Sequence, residues 1–231
     1  RTIYTSYEFI DIAGLVKGAS KGEGLGNKFL SHIREVDAIC EVVRCFDNGN
    51  IIHVDGNVDP IRDIETINLE LVLADLETVT NRINRISKKL SKALEENTPI
   101  RLIDLTKEEK AVIKSFNLLT EKPLIYLANV NESDLGTDND YVKKVKEYAN
   151  KENAKVIEIC AKVEEELSEL EDDDAKEMLE ALGLEKSGLD SLIAATYDLL
   201  GLATYFTVGP DEVRAWTFKK GMNAKSCAGI I

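Results

Sequence analysis

The chain contains, near its start, the stretch Phe9-Ile10-Asp11-Ile12-Ala13-Gly14-Leu15, and a loop with four further glycines follows it at residues 16–27. The apolar residues predict a strand that carries Asp11 to its carboxyl end. Asp11 can reach a magnesium ion through water, and the Gly14 amide can approach a phosphate because glycine has no Cβ. The spacing favours a nucleotide switch, although Asp-x-x-Gly also occurs where a strand leads into an ordinary glycine-rich surface loop.

The bulk composition limits the class of protein. The 231 residues are 44% hydrophobic and 31% charged, which allows a buried core in one or two domains. A net charge of −13 argues against a general cationic nucleic-acid binder. The four cysteines predict reduced core thiols, and the two histidines lack ligand-like spacing. No signal peptide or membrane-spanning run occurs, so we expect a soluble, cytoplasmic protein without a membrane partner.

Further apolar runs predict an α/β domain. Buried strands are expected at residues 38–46, 123–128 and 156–159, and helices at residues 28–37, 141–152, 164–180 and 190–200. The order of strand, switch loop, helix and strand is that of the middle of a Ras-like domain. Residues 204–208 and 213–218 alternate like two strands across a Gly209-Pro210-Asp211 turn, which predicts a hairpin.

A long amphipathic helix is expected between Pro60, its first residue, and Leu90. From Leu76 onward its apolar positions alternate in steps of three and four, as in a coiled coil, and such a stripe needs a partner helix. The segment that follows offers one short helix, from about Lys107 to Leu118, with Thr106 and Glu109 at capping-box spacing.

The residues from Asp11 to Asn27 resemble switch II of the YchF-type Obg-like ATPases, a branch of the translation-factor class of P-loop GTPases. The resemblance implies a Ras-like P-loop NTPase G domain with an inserted helical coiled-coil arm and the start of a β-grasp TGS domain. It divides the chain into a first part of the G domain at 1–62, the arm at 63–120, a second part of the G domain at 121–203 and a partial TGS domain at 204–231.

The chain departs from this family in three places. No G-x-x-x-x-G-K-[ST] loop occurs in the sequence, so we expect it to begin partway into a longer chain. The family's arm has a longer return helix, so residues are expected to be absent between roughly Lys88 and Ala93. The segment that resembles the TGS domain covers about its first third.

The sequence Asn129-Val130-Asn131-Glu132 follows a predicted strand, where GTPases have N-K-x-D. The resemblance identifies it as the family's base-recognition variant. Glutamate in place of the aspartate, with the lysine absent, implies ATP in preference to GTP, because a site built for guanine leaves its groups unpaired with other bases. Cys160 and Ala161 fall at the family's second base-contacting turn. Taken alone, the four residues could equally form an ordinary polar turn.

The resemblance also implies roles in hydrolysis. Asp11 would hold the water shell of Mg²⁺, and the Gly14 amide would contact the γ-phosphate. Leu15 occupies the position where many relatives have a glutamine that orients the attacking water. A backbone group, a potassium ion or a partner such as the ribosome must then position that water, and we expect slow intrinsic hydrolysis.

A basic stripe on the predicted arm, formed by Arg82, Arg85, Lys88 and Lys89, has two interpretations. It could be a solvated flank, or an edge that contacts RNA or the ribosome. Two alternatives to an ATPase also remain. One is a non-enzymatic adaptor that binds through the arm and the TGS segment, and the other is a GTPase with the same fold.

Overall fold

The computed structural model describes residues 1–12, 25–53, 55–81 and 85–231, with only the backbone described at residues 25–28 and 85. The chain forms two compact units, one from residues 12–191 and one from residues 1–11 and 192–231. The four-part domain division expected from the sequence stays a prediction.

The larger unit is built on a parallel sheet of β2 (Ile39–Arg44), β3 (Leu124–Asn129) and β4 (Lys155–Ile159), in that order. The three predicted strands are therefore confirmed. Residues 124–128 are all buried, as expected for a central strand with both faces covered. In contrast, β2 pairs with β3 alone among the described residues, and Val42 is 63% exposed, so the prediction that β2 is fully buried is wrong.

A helical hairpin packs against this sheet. Its first helix, α2 (Pro60–Thr80), begins with Asp59 as its N-cap, whose side chain accepts a hydrogen bond from Arg62 N. Its second helix is α3 (Arg85–Glu95). The predicted single helix from Pro60 to Leu90 is therefore wrong. A spacing of three and four continues through both helices, so periodicity cannot show that the chain reverses between them.

The hairpin encloses its own apolar core. Leu90 and Leu94 of α3 lie against Val72 and Val79 of α2, and the cluster extends to Ile100, Leu105, Ile113, Phe116 and Leu118. The predicted short helix is α4 (Lys107–Ile113), and its capping box is present in both directions. The stripe on α2 thus finds partners within the described residues.

The remaining helices of the larger unit follow the predicted order. They are α1 (Leu25–Glu35), α5 (Asp140–Lys151), α6 (Ala161–Ser168), α7 (Asp172–Ala181) and α8 (Gly188–Leu199), of which α8 continues into the smaller unit. The expected helix over residues 164–180 is divided at 169–171, because the α6 C-cap and the start of α7 interrupt it. No helix in the described ranges is long and apolar enough to cross a membrane.

The smaller unit contains the predicted hairpin, β5 (Leu202–Val208) and β6 (Val213–Lys219), followed by α9 (Ala224–Ala228). Its third strand is β1 (Thr2–Ile3), which pairs in parallel with β6. Residues 4–12 have no regular secondary structure, so the strand predicted from Phe9 is wrong over residues 9–12. A strand needs a hydrogen-bonded neighbour, and an apolar pattern does not specify which sheet edge the chain will join.

Candidate functional site

The predicted base-recognition residues meet at the carboxyl ends of β3 and β4. These parallel strands pair with Asn129 opposite Ile159, so the segments that follow them leave the sheet side by side. The Asn129 side-chain oxygen accepts a hydrogen bond from the Ala161 backbone N–H at 3.0 Å. The Val130 N–H donates to the carbonyl of Ile159 at 2.8 Å. Two turns that are 32 residues apart in sequence are thus joined by two hydrogen bonds.

The side chains of the two turns differ in exposure. Val130 and Cys160 are 2% and 4% exposed, and Val130 belongs to the core cluster of the sheet, so neither side chain faces solvent. Ala161 and Glu132 are exposed, and Glu132 lies in a 3₁₀ turn over Glu132–Asp134. The exposed charged group between Asn129 and Glu132 is therefore the Glu132 carboxylate.

Sequence reasoning missed one residue of this site, Lys162. Its ammonium nitrogen lies 3.6 Å from Glu132 Oε2 and 3.5 Å from Glu166 Oε1. The pKa of Lys162 is raised above its ordinary value, first by the Glu166 carboxylate and then by Glu132. The four-residue spacing of Lys162 and Glu166 after the Cys-Ala turn was the available signal.

Hydrogen bonds also fix the residues just before the first residue of β3. The Asp75 carboxylate on α2 is fully buried and accepts hydrogen bonds from Leu119 N, Thr120 N and the Thr120 hydroxyl at 2.8, 2.8 and 2.6 Å. Burial raises the pKa of Asp75 despite these bonds. Lys122 donates to the carbonyls of Arg34 and Val36, at the carboxyl end of α1. These contacts fix the strand that presents Asn129.

A largely buried polar network connects Tyr126 of β3 with Arg101 and Glu152. Arg101 pairs with Glu152 at 2.7 Å, and the Tyr126 hydroxyl donates to the same carboxylate at 3.2 Å. Burial raises the pKa of nearby Glu41 to about 8, although Arg101 lowers it. Glu41 is therefore neutral at pH 7, which explains how β2 tolerates it on the covered face.

The prediction of reduced core thiols holds only in part, because Cys45 and Cys160 are buried whereas Cys40 and Cys227 are only partly buried. Cys40, Cys45, Cys160 and Cys227 are all free cysteines. Burial raises the pKa of Cys40 to about 11 and that of Cys45 to about 12, so both are protonated at neutral pH.

One cluster brings together groups that sequence spacing did not connect. His53 Nε2 lies 3.0 Å from Asp63 Oδ2, and the Asp55 carboxylate is close by. The Asp55 backbone N–H donates to His53 Nδ1, so Nε2 carries the proton and faces Asp63. The Arg62 guanidinium also contacts Asp63, at 3.2 Å. Because both ring nitrogens are engaged and Arg62 supplies the positive charge, the cluster is explained as a structural tie between the loop and α2.

A cavity of about 540 Å³ adjoins the Asn131 side of the base-recognition turn. Its lining combines two aromatic rings with acidic, amide and lysine side chains: Phe46, Asp47, Asn131, Asp134, Asn139, Asp140, Tyr141 and Lys144. Tyr141 donates to Asp47 at 2.8 Å across it. Sequence reasoning did not predict this cavity, because its walls come from three separate segments.

The predicted switch residues are described only in part. Asp11 is exposed and is the last residue assigned to the smaller unit, whereas the base-recognition turns belong to the larger unit. Gly14 and Leu15 lie outside the described residues. The roles of all three stay predictions.

The basic stripe is likewise described in part. Arg82 and the Arg85 side chain lie outside the described portion. Lys88 is exposed, whereas Lys89 pairs with Glu109 at 2.9 Å and donates to the Asp104 carbonyl.

The sheet defines an α/β fold, and the matches to known proteins place the chain in the P-loop GTPase class. Residues 2–100 match the family described as 50S ribosome-binding GTPase. Residues 202–231 match the carboxyl-terminal family of YchF GTPases, whose description is a protein of unknown function.

Relatives identify the family more closely. The ribosome-binding ATPase YchF of Bacillus subtilis is 57% identical over 250 residues, and that of Escherichia coli O157:H7 is 50% identical over 248 residues. Each match covers 100% of this chain and 68% of the relative. The structure of the Schizosaccharomyces pombe YchF GTPase matches with a TM-score of 0.81 and 42% identity. This chain belongs to the YchF family.

The matches also show how much of a relative this chain represents. The structural match covers 95% of this chain and 65% of the fission-yeast chain, so this chain spans about two thirds of the relatives' length. The alignment with the Bacillus protein has 250 positions against 231 residues here. The relative therefore contains residues that have no counterpart in this chain.

Proposed function

We propose that this chain binds and hydrolyses ATP as part of a ribosome-associated nucleotide switch. The observation that carries the proposal is the hydrogen bond between Asn129 and the Ala161 N–H, which joins the two turns that the sequence assigned to base recognition. The named activity of the bacterial relatives, ribosome-binding ATPase, supports the same conclusion.

The hydrogen-bonding groups of the site favour adenine over guanine. The N–H groups of Val130 and Ala161 are already occupied by Ile159 O and Asn129 Oδ1. Guanine presents an acceptor, O6, at the position where adenine presents the N6 amino donor. A site whose backbone donors are occupied and whose exposed side chain is the Glu132 carboxylate matches a donor better than an acceptor. We infer that Glu132 accepts a hydrogen bond from the adenine amino group.

The metal chemistry follows from the residue types. Mg²⁺ prefers oxygen ligands, keeps several waters and uses few protein carboxylates. One exposed carboxylate, that of Asp11, is compatible with this kind of coordination. When bound, Mg²⁺ would neutralise charge on the β- and γ-phosphates. Asp11 would orient its water shell, the Gly14 amide would contact the γ-phosphate, and Leu15 would leave water positioning to a backbone group, K⁺ or the partner. We expect slow hydrolysis that a partner accelerates.

The ribosome is the proposed partner, which would place this protein in the cytoplasm. We propose that Arg82, Arg85 and Lys88 form the RNA-facing edge of the α2–α3 arm. Lys89 is a weaker candidate, because its ammonium group already contacts Glu109 and Asp104. The family arm and the TGS domain, the latter beginning with β5 and β6, complete the proposed architecture.

The experiment compares ATP and GTP binding by saturation-transfer NMR on the base protons, a method suited to weak ligands. We expect ATP to bind more tightly than GTP. Asn129→Ala should weaken ATP binding while lowering the free energy of unfolding by about 1 kcal/mol, the typical net value of one hydrogen bond. Asn150→Ala, which removes an exposed asparagine from α5, is the matched control and should leave ATP binding unchanged.

The alternatives give different results. The fission-yeast relative and both matching families carry the name GTPase, which favours GTP as the second candidate substrate. Tighter binding of GTP would support that candidate and contradict ours. Absence of binding by either nucleotide would favour the adaptor that acts through the arm and the β5–β6 segment.

A further inference from the structure

We propose that Lys162 is a specificity-determining residue, which holds one oxygen of the Glu132 carboxylate and so prevents guanine from using both. The inference rests on the proposed function, because it concerns how the base-recognition turn distinguishes two purines. Lys162 does not itself contact the base in this proposal, so it acts as a positioning residue through Glu132.

The geometry places Lys162 between two carboxylates. It is the second residue of α6, directly after the Ala161 N–H that Asn129 binds. Its Nζ lies 3.6 Å from Glu132 Oε2 and 3.5 Å from Glu166 Oε1. The Lys162 side chain is 69% exposed, that of Glu132 is 48% exposed and that of Glu166 is 45% exposed, so a ligand can reach all three.

The chemistry of the two bases makes this contact selective. The guanine edge carries two neighbouring N–H donors, at N1 and N2, which suit both oxygens of a carboxylate. Adenine has an acceptor, N1, and a C–H group at those positions, and its one donor on this side is the N6 amino group, which occupies the position of guanine O6. A carboxylate with Oε2 bound to Lys162 keeps Oε1 for one donor, which satisfies adenine. Guanine would have to displace the ammonium group or leave one donor to water, and it would then gain less from the Glu132 carboxylate than two paired donors would give.

Glu166 competes with Glu132 for the Lys162 ammonium group, so a substitution at Glu166 tests the proposal from the opposite direction. It lies four residues after Lys162 on the same helix and binds the same ammonium group. Removing its charge should release Lys162 towards Glu132. Lys162→Met and Glu166→Gln are therefore expected to change base preference in opposite directions, although both break the same pair on α6.

The experiment measures the ratio of the GTP and ATP dissociation constants for the whole chain by saturation-transfer NMR. Lys162→Met should lower that ratio about two- to fivefold, the scale of an exposed ion pair, mainly by tightening GTP binding. Glu166→Gln should raise the ratio, and Lys162→Arg should keep the ratio of the unmodified chain. Lys176→Met, which removes an exposed lysine from α7, is the matched control and should leave the ratio unchanged.

The outcomes separate this inference from the proposed function. If the unmodified chain prefers ATP and Lys162→Met keeps the ratio, the role of Lys162 is overturned while the ATPase proposal stands. If the unmodified chain has no preference for ATP, both are overturned, since there is no discrimination for Lys162 to maintain. High salt offers a second measurement, because screening should move the unmodified chain towards the Lys162→Met ratio and leave that variant unchanged.

Discussion

Asp75 provides the sharpest test of how the site is supported. Its carboxylate lies on α2 with no exposed surface and accepts three hydrogen bonds from Leu119 and Thr120, just before β3 begins. The Thr120 hydroxyl in turn accepts a bond from Ile100 N at 3.1 Å. One side chain thus joins the arm helix to the segment that enters the central strand.

The magnitude follows from the groups that would be left behind. Asp75→Ala removes the acceptor for two backbone N–H groups, while the Thr120 hydroxyl can rotate towards another acceptor. Each buried donor without a partner costs about 1–3 kcal/mol. Removing a carboxylate whose pKa burial raises offsets part of that cost, because the folded state no longer holds a desolvated charge. We expect the free energy of unfolding to fall by about 2–5 kcal/mol, a large fraction of the usual 5–15 kcal/mol.

The assay is urea unfolding followed by circular dichroism at pH 7. Asp75→Asn should also destabilise the chain, because its amide group would point N–H at a backbone N–H. The control is Glu77→Ala, on the same helix but exposed, which should change the free energy of unfolding by no more than about 0.5 kcal/mol. A loss below about 1 kcal/mol for Asp75→Ala would refute the reasoning.

Two other predictions concern packing and pH. Gly188→Ala would place a Cβ 2.8 Å from Ile159 Cγ1, so we expect a loss of about 1–3 kcal/mol in urea unfolding. Gly49→Ala, with no atom within 4 Å, should be neutral, and equal losses for the two variants would contradict the packing argument. Glu41 has its pKa raised by burial from 4.5 to about 8, so the folded state binds a proton that the unfolded state lacks within that window. The free energy of unfolding should therefore fall as pH rises from about 5 to 8, by at most about 1.4 kcal/mol per pH unit. Glu41→Gln should flatten this slope, and an unchanged slope would show that another group is responsible.

Local sequence patterns predicted much of this fold, because the interactions concerned are local. Short apolar runs located β2, β3 and β4, and the run of β3 does not alternate because this strand is buried on both faces. The capping box at Thr106 and Glu109 marked the start of α4 because both of its hydrogen bonds join residues three apart. Asn129, Val130, Cys160 and Ala161 were brought together as expected, since neighbouring parallel strands end at the same edge.

The features that the sequence did not predict depend on contacts between segments that are distant in the sequence. The pairing of Thr2–Ile3 with β6 depends on which sheet edge is available, and an apolar run near the start of the chain does not contain that information. The reversal between α2 and α3 left the heptad spacing intact, so periodicity favoured one helix. His53 met Asp63 because the loop folds back onto the first turn of α2. The errors concerned which edge or helix a segment packs against and where a helix is interrupted.

Base preference depends on which N–H groups and carboxylate oxygens of the site are still free to bind a base, and residue types alone do not determine this. The sequence predicted that Asn129 and Glu132 belong to the site. Four residues of sequence do not show which N–H groups are already hydrogen-bonded within the folded protein. In the structure the Ala161 N–H is bound by Asn129, and one Glu132 oxygen lies near Lys162. The same residues with a free N–H and an unpaired carboxylate would suit guanine, which has an acceptor beside two donors. We therefore expect relatives with an Asn-x-x-Glu turn to differ in base preference according to the residue that follows their Cys-Ala or Ser-Ala turn.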